Sequence, residues 1–168
     1  IYNMESSIQQ YKQAVSVIKE AILHSQYRAA KMVTGEELSL NFGIGAYVSN
    51  RSRQEKWGTS IIESISEQLR RELPGLRGFS GRIRNMRTFY EYWTQYLIWQ
   101  PSAAKLQLSI NQDTIDIDCF SLQKWSPVAA EINREEFLGI SFSHHLEILQ
   151  KTKDIQEVLF YIHQTVLH

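Results

Sequence analysis

An apolar stripe opens the chain: Ile8, Tyr11, Val15, Ile18 and Ile22 recur at alternating steps of three and four. On a helix this spacing gathers all five on one side and leaves Gln, Lys, Ser and Glu on the other. Such a helix must bury its apolar side, either against later parts of its own domain or against a second copy in a coiled coil. The helical pattern continues over Tyr27–Asn50, interrupted by Gly35 and by Gly43-Ile44-Gly45. Glycines here permit close backbone approach. They do not form a dinucleotide fingerprint, because a third glycine and a preceding strand are missing.

A polar break over Arg51–Gly58 precedes a second amphipathic face, Ile61, Ile62, Ile65, Ser66 and Leu69, with Thr59 or Ser60 as its expected cap. That helix ends before Pro74-Gly75. After a turn over Pro74–Phe79, Ser80 is placed to cap a further helix whose buried side carries Ile83, Met86, Phe89 or Tyr90, and Trp93. The pair, about residues 60–93, is helix-turn-helix-like. In Lys105–Phe120 the period changes to two, with Leu106, Leu108 and Ile110, then Ile115 and Ile117, around Asn111-Gln112-Asp113. This predicts a small β-hairpin insert (about 105–120), which must pack on something to be stable. Helical periodicity returns in Glu131–Leu138, Ser143–Lys151 and Ile155–Leu167, with Ser143 and Asp154 as caps.

The expected fold is therefore mainly α: a helical bundle with a helix-turn-helix-like pair and a hairpin insert. The 168 residues suit one domain, or a helical body over 1–100 with a hairpin and C-terminal helices over 101–168. A start without methionine and an uncapped amphipathic end suggest a segment of something longer. Eighteen basic and eighteen acidic residues cancel, so bulk charge names no partner. The single cysteine, Cys119, has no internal disulfide partner. With no apolar run near the ~18–20 residues of a membrane span, these features point to the cytoplasm and away from a membrane.

Local charge is more informative. Between Leu73 and Tyr90 lie Arg77, Arg82, Arg84 and Arg87 and no acidic residue. On a helix starting near Ser80, Arg82, Arg84, Asn85 and Arg87 lie near its N-terminus, the arrangement a recognition helix offers to a DNA groove. Arg51, Arg53 and Lys56, in the preceding polar break, and Arg77 could add phosphate contacts. The alternative is a solvated or protein-binding face in which Glu72 and Glu91 neutralise the arginines.

No catalytic constellation emerges. His144 and His145 are adjacent and Glu147 follows His144 by three, a spacing at which two helical side chains could share a metal, yet two ligands without a second His-rich motif favour capping and packing over metal. Asp113, Asp116 and Asp118 read as a solvated strand face, and no nucleophile elbow, phosphate loop or Glu-x-Lys element is present. No metal or cofactor is expected in this chain.

Several motifs in order, Gly43-Ile44-Gly45-Ala46-Tyr47-Val48-Ser49, Lys56-Trp57-Gly58, Glu72-Leu73-Pro74-Gly75-Leu76-Arg77-Gly78-Phe79-Ser80 and Met86-Arg87-Thr88-Phe89-Tyr90, resemble the N-terminal region of YhcG-like bacterial proteins. Phe137-Leu138-Gly139-Ile140-Ser141-Phe142-Ser143-His144-His145 and Leu159-Phe160-Tyr161-Ile162 resemble the next region of the same family. The resemblance implies a C-terminal nuclease domain of the PD-(D/E)XK superfamily beyond this chain, and a helical, DNA-binding role for the N-terminal region. Its departures are Val33-Thr34-Gly35 and Asn41-Phe42, where the family commonly has Val-Asn and Tyr-Trp. The two functional alternatives are thus a non-catalytic DNA-binding or targeting module, and a protein-interaction or homodimerisation domain using the N-terminal helix.

Overall fold

The computed structural model describes residues 4–28, 33–74, 83–98, 113–118, 124–127 and 132–167. Four helices, α1 (Met4–Arg28), α2 (Val33–Glu55), α3 (Thr59–Glu72) and α4 (Ile83–Thr94), lead to two-residue strands β1 (Leu97–Ile98) and β2 (Lys124–Trp125). Helices α5 (Arg134–Leu138), α6 (Phe142–Lys151) and α7 (Ile155–Leu167) come after them. The fold is mainly helical. The strands pair antiparallel, Leu97 opposite Trp125 and Ile98 opposite Lys124.

Helix α2 is the axis. Residues 41–49 are all buried, because α1, α4, α5 and α6 pack around it. A helix surrounded on every side needs no polar face, which is why small and apolar residues run almost unbroken from Phe42 to Ser49. Two glycines set the closest approaches. A Cβ on Gly45 would lie 2.7 Å from the Met86 carbonyl carbon and 2.8 Å from Tyr90 Cβ, so α4 crosses α2 backbone to backbone there. A Cβ on Gly43 would lie 2.8 Å from the Asp116 carbonyl oxygen.

The α1 stripe is consumed inside the domain, since Val15, Ile18 and Ile22 are buried, and only its Ile8 end stands 46% exposed. Across the axis, Phe42, Phe89, Trp93, Phe137, Phe142 and His145 make an aromatic cluster of edge-on and tilted contacts, with Trp93 and Phe137 centroids 4.9 Å apart. Each such pair adds about 0.5–1.5 kcal/mol beyond simple burial. One apolar core runs from Ala14 through Ile162, joining the first hundred residues to the C-terminal helices.

The hairpin expected over 105–120 is not supported. Residues 105–112 and 119–120 lie outside the described residues, and 113–118 form turns and irregular chain. This segment lies against Gly43 of α2, with Ile117 buried and the Asp118 N–H donating to Asp116 Oδ1 at 2.9 Å. Asp116 and Asp118 are consequently in a turn and not on a strand face.

Boundaries shift too. The expected break over 51–58 is helical as far as Glu55, so Arg51 and Arg53 project from α2. Lys56 adopts φ 54°, and the Trp57 N–H donates to the Ser52 carbonyl at 3.0 Å, the six-to-one closure of a Schellman ending. Helix α3 starts from Gly58 with no side-chain cap, and α6 is capped by Ser141 instead of Ser143. Asp154 does cap α7, accepting from the Gln156 N–H at 2.8 Å.

Candidate nucleic-acid interface

Helix α4 buries Ile83, Met86, Phe89, Tyr90, Tyr92 and Trp93, leaving one outward stripe on which Arg84, Thr88 and Glu91 recur at helical spacing. Asn85 and Arg87 sit half-buried at its edges. The usable surface of α4 is thus its first two turns. The Arg84 guanidinium, 65% exposed, stands 3.7 Å from Glu63 on α3, a loose surface pair that contributes ~0.2–1 kcal/mol at most. It can be drawn away by a stronger anion.

Arg87 is held more firmly. Its Nε donates to Glu91 Oε1 at 2.9 Å, and the same oxygen accepts from the Ser49 hydroxyl of α2 at 2.9 Å. Ser49 in turn accepts from the Arg53 guanidinium at 3.1 Å, while Arg53 Nε donates to the Ser49 carbonyl at 3.3 Å. Arg84 and Arg87 on α4 and Arg53 on the end of α2 therefore share one continuous surface, and a buried serine links the two helices beneath it. Lys56, exposed, comes just after Arg53 in the helix-ending turn.

Two of the eight sequence-predicted residues, Arg77 and Arg82, lie outside the described residues. Arg51 does not join the others. It bridges Glu55 at 3.2 Å and Asp113, and Tyr47 donates to the same Asp113 oxygen at 2.9 Å. Burial works against the Arg51 charge, but Tyr47 and Asp113 outweigh it and hold its pKa above the ordinary value. Both terminal nitrogens of Arg51 are thereby engaged, and they tether the 113–118 segment to α2.

Sequence reasoning passed over Arg70. Ser66 is buried and its hydroxyl accepts from the Ile83 N–H at 3.4 Å, joining α3 to the start of α4, and Arg70 lies one turn further with its Nε on the Ser66 carbonyl. Arg70 follows Glu63 and Ser66 at helical spacing, and Ser66 is the residue that meets the start of α4.

The histidine motif resolves into packing. His145 is 1% exposed, with Nε2 at 2.9 Å from the Phe137 carbonyl and its ring 4.4 Å from that of Phe137. Burial lowers its pKa to about 4. His144 is exposed, and among the described residues no three metal-ligating side chains converge. Among the described residues, no helix is long and apolar enough to cross a membrane.

A family model, described as the DUF1016 N-terminal domain, matches residues 17–168. No curated protein and no solved structure matches the chain.

Proposed function

The chain belongs to the DUF1016 N-terminal domain family, and we propose that it is a non-catalytic DNA-binding module. The observation that carries this reading is the shared surface of Arg84, Arg87 and Arg53, presented by the first turns of α4 and the end of α2. In this arrangement α3 and α4 act as the helix-turn-helix-like pair, Arg84 and Asn85 reach base edges, and Arg53, Lys56, Arg70 and Arg87 hold phosphates. Glu63 and Glu91 keep the arginines ordered in the free protein and are displaced as phosphates approach. Arg77 and Arg82 belong to the same basic stretch of sequence. We place the protein in the cytoplasm and, from its resemblance to YhcG-like proteins, assign it as the targeting part of a nuclease. No cofactor enters this role.

Binding of a labelled duplex, followed by fluorescence anisotropy, tests the proposal. Affinity should fall steeply with added salt and be clearly weakened in an Arg84→Ala, Arg87→Ala variant that retains its helical circular dichroism. Undiminished binding by that folded variant would move the contact elsewhere. A second reading, self-association through α1, rests on Ile8, which is exposed beside a cleft lined by Tyr11 and Ile61. Sedimentation that shows a monomer at every concentration would remove it.

A further inference from the structure

Serine and threonine inside a helix commonly spend their hydroxyl on the carbonyl one turn back. Ser52 does so towards Val48 at 2.6 Å, Thr88 towards Arg84 at 3.0 Å and Thr165 towards Tyr161 at 2.8 Å. Ser49 departs from this habit. Its hydroxyl donates to Glu91 Oε1 on α4, 42 residues away in the chain, at 2.9 Å, and accepts from Arg53 Nη2 at 3.1 Å. Ser49 is 0% exposed, yet every side chain tied through it reaches the surface: Arg53 is exposed, and Arg87 and Glu91 keep 33% and 45% of their side-chain area in solvent.

Packing does not require that hydroxyl. Its buried neighbours Ala46 and Val48 are apolar, and alanine is the better helix former at such a position. Removing it strands no buried charge either, because Glu91 and Arg53 can both turn to water. What the hydroxyl supplies is order. As a donor it fixes the carboxylate that Arg87 grips through Nε at 2.9 Å, and as an acceptor it fixes Arg53, whose Nε rests on the Ser49 carbonyl at 3.3 Å. One oxygen atom thus sets two guanidinium groups from different helices. Among the described residues, both terminal nitrogens of Arg87 and Nη1 of Arg53 have no partner, so they remain for an incoming phosphate.

We propose that Ser49 is a positioning residue for phosphate binding: without touching DNA, its hydroxyl holds Arg53 and Arg87 in the arrangement that meets the backbone. The role rests on the DNA-binding reading. A long side chain immobilised on binding loses rotamer freedom, so arginines ordered beforehand bind more tightly. Removing the hydroxyl takes away order and no charge. Affinity then falls while the number of counterions released stays the same, which separates this effect from the loss of an arginine.

The test is fluorescence anisotropy of a labelled duplex across a salt series, with the whole 168-residue chain, Ser49→Ala, the Arg53→Ala, Arg87→Ala pair, and all three substitutions together. Ser49→Ala, folded by circular dichroism, should bind about threefold to tenfold more weakly at every salt concentration and keep the wild-type slope. Added to the two arginine substitutions, it should change nothing further. In the free protein, NMR relaxation should show the Arg53 and Arg87 Nε–H groups more mobile in Ser49→Ala. Wild-type affinity in Ser49→Ala, a shallower slope, an undiminished effect in the background lacking both arginines, or unchanged relaxation of both groups would each overturn the positioning role while leaving DNA binding in place. A wild-type chain that does not bind duplex defeats the DNA-binding reading itself, and this role falls with it.

Discussion

Gly45→Ala should be the most damaging small substitution in this protein. A new methyl at position 45 would sit 2.7 Å from the Met86 carbonyl carbon, while unstrained carbon atoms stay about 3.5–4.0 Å apart. Helix α4 would have to retreat by nearly an ångström. The obstacle is backbone, so no side chain can rotate aside, and the retreat would loosen Phe42 against Tyr90 and Phe89, whose rings meet at 5.0 and 6.4 Å. Overpacking costs about 1–3 kcal/mol and occasionally more, and this case belongs at the upper end. The helix propensity of alanine returns up to ~1 kcal/mol, leaving a net loss of roughly 2 kcal/mol or more. Gly35 on the same helix is the control, because a Cβ there meets nothing within 4 Å. Gly35→Ala should gain about 0.5 kcal/mol from propensity and unfolded-state entropy. Urea unfolding followed by circular dichroism measures both. A Gly45→Ala protein within about 0.5 kcal/mol of wild type, a difference usual for surface substitutions, would refute the backbone crossing.

The other expectations concern His145 and Lys56. The folded His145 takes up a proton only near pH 4, whereas the unfolded imidazole does so near its ordinary 6.5. Its contribution is therefore intact above pH 6.5 and is lost as pH falls towards 4, by up to about 1.4 kcal/mol per pH unit. An NMR titration of the His145 ring with a midpoint near 6.5 would contradict this. Lys56→Gly should relieve the left-handed backbone at φ 54° and raise stability by about 0.5–1 kcal/mol, seen as a few degrees in the thermal midpoint. A lowered midpoint would count against the Schellman ending.

Much of the fold was legible because period three-to-four spacing survives wherever a helix buries one face. The Ile62, Ile65, Ser66, Leu69 set on α3 and the Ile83, Met86, Phe89, Trp93 set on α4 are buried as their spacing required. Helix α2 was harder to read past Asn50, because a helix buried all round shows no polar stripe to trace into Arg51 and Arg53. Ile115 and Ile117 misled for a different reason: both pack near Gly43 of α2 from an irregular segment, so their spacing of two does not mark a strand. At the candidate site, the basic stretch on α4 could be read from the absence of acids between Leu73 and Tyr90. The pairing of Arg51 with Asp113 could not, since the two are 62 residues apart in the chain.

The salt dependence of duplex binding tests the DNA-binding account most directly. Each phosphate contact contributes about −0.9 to the slope of log affinity against log salt, so Arg53→Ala, Arg87→Ala should reduce the magnitude of that slope by roughly 2 and weaken binding across unrelated duplex sequences alike. An unchanged slope in the folded double variant, or wild-type binding indifferent to salt, would contradict the assignment of this surface to DNA.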